Sequence, residues 1–239
     1  MRFKVTLTTA LLGCFIVVAQ PCKDIMIDSS IKIISPASAP PTSVPPLNAK
    51  HRHLRQSLRR RRRNLGIGRQ IAAARRLAET IGRQAIYCDS RHIACYLPND
   101  GELSLWPVLK QSWLRKKHCY LPVIDGRQLR FVHFSPGAPL VKNRFGILEP
   151  ATGRCLHLCR IDLVLVPLVA FDHCGNRLGM GGGFYDRTFA GQLSADDCGI
   201  AGRSVMRRPV LCGIGHRCQQ VAQLTPQPWD LPMDMIAIA

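Results

Sequence analysis

Read for the spacing of its apolar positions, the chain alternates helical and extended segments from about Lys50 onward. Leu54, Leu58 and Leu65 recur at helical spacing through 51–65. Ile67, Ile71, Ala74, Ala78, Ile81 and Ala85 then step by three and four, which predicts an amphipathic helix separated from the first by Gly66 and Gly68. Ile93–Leu97 reads as a strand, 98–101 as a turn, and a helix is expected from near Glu102, carrying Leu105, Leu109 and Trp113 on one side. Its Pro107 is tolerable only in a first turn. Cys119–Ile124 and Leu129–Phe134 read as strands around a turn at Asp125-Gly126. The unbroken apolar run 163–171 has the pattern of a strand buried on both faces. A helix from about Tyr185 and strands at 210–214 and 235–239 complete the alternation. That order predicts an α/β fold: a mostly parallel, twisted sheet with helices on both faces, in a single domain.

The first 48 residues follow other rules. Arg2 and Lys4 precede an apolar run from Val5 to Ala19, a signal-like segment too short to span a bilayer comfortably. A Pro/Ser-rich stretch with linker composition follows. Residues 1–48 are therefore expected to lie outside the fold, with the domain occupying 49–239. A start codon set too far upstream would account for such an extension.

Composition changes this picture in two places. The formal charge of +18 is uneven: 50–83 holds twelve basic residues and one acid, Glu79, so +11 falls there. Such a run could serve as a footprint for RNA, and a basic RNA-associated module is the alternative function. No aromatic residues interleave with the arginines, however, as a single-strand stacking platform would want. A solvated helical face, with a few arginines for an anionic small molecule, is preferred. The eleven cysteines include no Cys-x-x-Cys pair, and several sit in apolar company. That pattern fits a reducing compartment better than a disulfide framework or a zinc site.

The chemistry concentrates in Arg177-Leu-Gly-Met-Gly-Gly-Gly-Phe-Tyr-Asp-Arg187. Four glycines in five positions (Gly179, Gly181, Gly182, Gly183) imply positive φ angles or a ligand against the main chain. Successive bare N–H groups form an anion nest, and a following helix adds its dipole. With Arg177 at one end and Asp186 at the other, the loop suits phosphate plus a metal ion. It is not a Walker loop, which needs Lys-Ser/Thr after its last glycine. Nor is it the dinucleotide fingerprint, whose third glycine would fall on Phe184.

Together these pieces resemble the 5-formyltetrahydrofolate cyclo-ligase (5,10-methenyltetrahydrofolate synthetase) family. The resemblance rests on Leu54-Arg55 with the arginine run, Tyr96-Leu-Pro-Asn-Asp-Gly-Glu102, Tyr120-Leu-Pro-Val123 and Gly146-Ile-Leu-Glu-Pro150. It continues through Val166-Pro-Leu-Val-Ala-Phe-Asp172, 175–186 and Trp229-Asp-Leu-Pro-Met-Asp234. The pieces run in order from about residue 50 to the end, and nothing in 1–48 resembles the family.

The resemblance implies an ATP- and Mg²⁺-dependent ring closure of 5-formyltetrahydrofolate through a phosphorylated formyl oxygen. Arg177, Tyr185 and Asp186 are the implied catalytic residues. ATP would be held by His51, Arg55, Arg177, Leu178, Gly179, Met180, Gly181, Gly182, Gly183, Phe184 and Tyr185. Folate would meet Arg55, Leu97, Glu102, Phe184 and Tyr185, and Mg²⁺ would sit on Asp186 and Asp230. His51 stands in the register of the family's nucleotide-binding lysine, with Lys50 beside it. Phe184 replaces the first tyrosine of many relatives, which keeps an aromatic face and loses a hydroxyl. Taken alone, Glu102 would more often be the acid of a helix's first turn, Asp230 a turn or cap residue and Tyr185 core or rim packing; their joint occurrence in family order turns each toward function. The expected protein is a cytoplasmic monomer without membrane or nucleic-acid partners. A third reading, an ATP-using enzyme with another substrate, is opposed by the segment Leu97–Glu102.

Overall fold

The structure is a computed structural model that describes residues 15–18, 47–190 and 208–239. In chain order the elements that carry the argument begin with β1 (Phe15–Val18), α1 (Leu47–Arg63), α2 (Ile67–Gly82), α3 (Ala85–Asp89) and β2 (His92–Ala94). Next come α4 (Trp106–Leu114), the hairpin β3 (His118–Asp125) and β4 (Gln128–His133), a second hairpin of β5 (Leu140–Lys142) and β6 (Leu148–Pro150), and β7 (Cys155–Leu156). The rest are β8 (Leu163–Pro167), β9 (Ala170–Phe171), β10 (Arg177–Leu178), α5 (Phe184–Phe189), β11 (Val210–Gly215) and β12 (Met235–Ile238).

The main sheet runs β1-β12-β11-β8-β2-β3-β4-β7. From β12 to β3 every ladder is parallel, while β4, β7 and β1 add antiparallel edges. The α/β architecture expected from the alternation is the one observed. Period-two side chains explain how one apolar run serves two cores. Leu163 and Leu165 of β8 face a core built with α2, α3 and α4. Val164 and Val166 face a second core closed by Phe189 of α5, Leu231 and Met233. α1 packs apart from both, its Leu58 against Val169, Ala170 and Leu178 of the small β9–β10 hairpin.

Four expectations shift. The run 163–171 is two strands, because the chain leaves the sheet after Pro167 and β9 turns back onto β10. The carbonyls of Leu168 and Val169, freed at that break, accept hydrogen bonds from Gln219 at 2.7 and 3.0 Å. The helix expected near Glu102 begins at Trp106, since Asp100 and Gly101 both take positive φ (52° and 76°) and form a loop. Ile67 and Ile71 are exposed rather than buried: α2 contributes to the core only from Ala73 onward. Finally, within residues 1–48, β1 pairs antiparallel with β12, Phe15 opposite Ile238. An unpaired edge strand presents free N–H and C=O groups that an apolar segment can complete, which is why part of a stretch expected outside the fold lies on the sheet. The signal-like and Pro/Ser-rich readings otherwise fall outside the described residues. No helix among the described residues is long and apolar enough to cross a membrane.

Candidate active site

The β9–β10 hairpin aims the glycine segment. Asp172 is fully buried, and its carboxylate accepts hydrogen bonds from the Cys174, Asn176 and Leu224 N–H groups (2.9–3.0 Å) and from Asn176 Nδ2 (2.9 Å). A satisfied buried carboxylate of this kind rigidifies the turn from which Arg177 and the loop emerge. Within the loop Gly181 has φ +100° and Gly183 φ +62°, conformations that side chains rarely adopt. Gly183 is the N-cap of α5, so the bare turn opens directly onto a helix start.

The loop forms one wall of a cleft of about 1020 Å³ whose other walls carry the remaining predicted residues. That volume is at the upper end of small-molecule sites and accommodates more than one substrate. His51 and Arg55 of α1, Leu97 and Glu102 beyond β2, the whole segment from Arg177 to Asp186, and Asp230 all line it. Every site residue expected from the sequence is brought to this one cleft. Arg55 Nε donates to Gly179 O at 2.8 Å, which pins α1 to the loop. Arg187 Nη2 donates to Gly182 O at 2.5 Å, and its guanidinium lies over the Phe184 ring.

The charges are arranged as buried pairs. Arg177 Nη2 lies 2.5 Å from Asp186 Oδ1, with both side chains nearly shielded from solvent, and Leu231 N donates to the same oxygen at 3.2 Å. Arg177 Nε is buried and has no protein partner. A buried donor without a partner is costly, so this atom is a ready contact for an anionic ligand. Asp230 Oδ2 accepts from Gln227 N at 2.8 Å. The His51 pKa is lowered, first by burial and then by the Arg55 charge, with Asp230 opposing, so the ring is neutral at neutral pH.

Glu102 and Tyr185 line the same cleft. Glu102 accepts from Asn99 N at 3.1 Å, and its other oxygen lies 3.6 Å from Arg62 Nη2. Burial pushes its pKa up to about 7, against the pull of Arg62. Tyr185 has a pKa raised by burial and by the Glu102 charge, so its phenol stays protonated. The Phe184 ring meets Phe145 of the β5–β6 connection edge-on, with centroids 6.0 Å apart. Phe145 and Trp229 are exposed at the cleft and give it an apolar rim.

Two parts of the site escaped sequence reading. Phe145 carried no signal, because its hairpin meets the cleft only in three dimensions. The arginine run was read as a solvated face, yet Arg59 (2.6 Å), Arg62 (3.1 Å) and Arg63 (3.2 Å) all end on the carboxylate of Asp100. Asp100 stands in the same turn as the expected substrate residue Glu102, and that juxtaposition was the available clue. Part of the run is therefore spent on an internal carboxylate, while Arg60, Arg61 and Arg63 keep an exposed face.

A family model for the 5-formyltetrahydrofolate cyclo-ligase family matches residues 47–239. The chain is 33% identical over 189 residues to the 5-formyltetrahydrofolate cyclo-ligase of Haemophilus influenzae, covering 77% of this chain and 95% of that one. It is 35% identical over 184 residues to the Escherichia coli enzyme of the same name, covering 75% and 94%. Among solved structures it superposes on Aquifex aeolicus 5,10-methenyltetrahydrofolate synthetase with a TM-score of 0.62 at 28% identity, over 79% of this chain and 89% of the other. The fold is also similar to that of the Mycoplasma pneumoniae synthetase, at a TM-score of 0.60 and 18% identity over 78% and 96%. With the family model matching the whole of the chain from residue 47 to 239, the protein belongs to the 5-formyltetrahydrofolate cyclo-ligase family.

Proposed function

We propose that this protein closes 5-formyltetrahydrofolate to 5,10-methenyltetrahydrofolate with Mg-ATP, in the cytoplasm and as a monomer, with residues 49–239 as the catalytic unit. ATP transfers its terminal phosphoryl group to the formyl oxygen. The second folate nitrogen then attacks the formyl carbon and gives up its N–H proton, which leaves with the phosphate as the C–O bond breaks, so the products are methenyltetrahydrofolate, ADP and phosphate. Phosphoryl transfer asks for positioning and charge neutralisation more than for covalent chemistry. The observation that carries the reading is the single cleft that joins a glycine nest and an orphaned arginine N–H to a buried carboxylate at the other wall.

In this reading the N–H groups from Gly179 to Gly183, the start of α5 and Arg177 hold the phosphates, with Arg55 bracing the loop. Mg²⁺ would rest on Asp186 and Asp230. Two carboxylates of one cleft fit a hard cation that completes its shell with phosphate oxygens and water. No group of three or more His, Cys, Asp or Glu that could hold a metal ion occurs among the described residues. When bound, Mg²⁺ would neutralise charge on the transferring group. Glu102 accepts paired hydrogen bonds from the pterin amino and ring N–H groups. Phe184 and Tyr185 supply aromatic faces for the folate, and the protonated phenol of Tyr185 supplies a donor.

The test is direct. Purified full-length protein with Mg-ATP and 5-formyltetrahydrofolate should give the absorbance of methenyltetrahydrofolate, with one ADP released per ring closed. Protein that binds ATP yet yields no methenyl product sinks the reading.

A further inference from the structure

Arg62 is the one charged side chain of the arginine run with no solvent exposure at all, and it does not line the cleft. A buried guanidinium must satisfy its donors or destabilise the fold, so its partners reveal its purpose. Its Nε donates to Asp100 O at 2.9 Å and its Nη1 to Leu168 O at 3.2 Å, where the chain breaks from β8 toward the glycine loop. Its Nη2 reaches Asp100 Oδ2 at 3.1 Å, Glu102 Oε1 at 3.6 Å and Met180 Sδ at 3.8 Å, inside the glycine loop itself. One planar fork therefore touches the turn bearing Glu102, the strand end and the phosphate loop. Close docking of that turn is built in: a Cβ on Gly101 would lie 3.1 Å from the Arg63 backbone.

We propose that Arg62 is a positioning residue for folate: it holds Glu102 as a carboxylate and locks the turn at 100–102 to the phosphate loop. The proposal rests on Glu102 accepting the pterin, as above. Glu102 is faced by Arg62 and Arg59 from α1, by Asp100 within its own turn, by Tyr96 beyond β2 and by Tyr185 of α5; His216, after β11, faces Arg62. Arg62 and Arg59 favour the charged carboxylate, whereas burial and Asp100 oppose it. With a Glu102 pKa of about 7, the balance of these groups decides whether a carboxylate or a neutral acid meets the substrate at physiological pH. A neutral acid can accept only one of the two pterin hydrogen bonds.

The signs follow. Arg62→Gln removes a charge that lowers the Glu102 pKa, so the acid limb of kcat/KM for 5-formyltetrahydrofolate moves up by about one pH unit. At pH 7 the ionised fraction falls from about one half to about one eleventh, so the folate KM rises roughly fivefold and recovers toward pH 9, while the ATP KM changes little. Asp100→Asn removes the opposing charge and moves the limb down; asparagine tolerates the positive φ at that position. Arg62→Lys keeps the charge and leaves the limb near the parent's. Glu102→Gln flattens it.

A merely structural arginine would change the height of the profile equally at every pH and not the position of its limb. The experiment is the pH profile of folate kcat/KM for the full-length protein and these four variants, with folding checked by circular dichroism. A limb in Arg62→Gln that coincides with the parent's, or one that persists in Glu102→Gln, overturns the inference. If Arg62→Gln does not fold, Asp100→Asn decides, and a limb that stays or rises refutes it. Absence of methenyl product from the parent protein would instead refute the functional reading.

Discussion

Two loops face each other across the cleft, and each is held by a buried arginine with a carboxylate. In the phosphate loop the pair is Arg177 with Asp186, nine residues apart, 2.5 Å from nitrogen to oxygen, with one guanidinium N–H left over. In the turn at 100–102 the pairs join Arg62 to Asp100 and Glu102, thirty-eight and forty residues away, and seal the arginine from solvent. Both turns need positive φ, at Gly181 and Gly183 in one and at Asp100 and Gly101 in the other. The difference lies in what the charge is for. A local pair with an unfilled donor is, in the proposed reading, a tool presented to a ligand. A long-range pair with its donors engaged sets the geometry and ionisation of a neighbour.

Breaking the local pair should have the largest effect. Asp186→Ala removes a proposed metal ligand and leaves the Arg177 guanidinium buried without its carboxylate. Turnover should fall below detection in the methenyl absorbance assay, and stability by about 3–5 kcal/mol in urea unfolding. Residual turnover near the parent's would mean that the pair is scaffold and not tool.

On the facing wall, Glu102→Gln should raise the folate KM about tenfold to a hundredfold and leave the ATP KM nearly unchanged, as fits the loss of a charge-assisted bidentate contact. Steady-state kinetics with each substrate varied in turn would separate the two. Equal changes in both KM values would contradict the division of labour between the loops.

Glycine substitutions sharpen the comparison within the phosphate loop. Gly181→Ala must hold a side chain at φ +100°, and the strain of about 1–3 kcal/mol should raise the ATP KM tenfold or more. Gly182 has no such φ, but a Cβ there would lie 2.9 Å from the Phe184 ring. Gly182→Ala should therefore weaken both ATP and folate by a few-fold through a tilted ring. A Gly182→Ala variant more damaged for ATP than Gly181→Ala would show that close approach of phosphate, not backbone conformation, rules the loop.

The smallest change concerns His51. Its ring is neutral at neutral pH because burial and Arg55 depress its pKa. His51→Lys would place a cation where the family resemblance has one, and the ATP KM should fall by a few-fold. An unchanged KM would mean that Arg55 and the glycine nest already saturate the phosphate charge.

How much of this was readable beforehand depended on distance along the chain. The glycine-rich loop was legible because its parts are contiguous: glycines, Arg177 and Asp186 within ten positions, after an apolar strand. The helix expected at Glu102 was misplaced because a helix-favouring acid and spaced leucines look alike in a turn and in a first helical turn. Only the docking of Gly101 against Arg63 separates the two. Ile67 and Ile71 kept helical spacing and still point to solvent, since periodicity gives a stripe but not how far the neighbouring elements extend beneath it.

By itself, then, the sequence determined the α/β alternation, the family resemblance and the glycine-rich loop, since each is written in short-range spacing. Tertiary structure alone decided what the arginine run does. Five successive positions on one helix cannot announce that three of them will close on a single aspartate thirty-seven to forty-one residues away, because that contact exists only once α1 has packed against the β9–β10 hairpin.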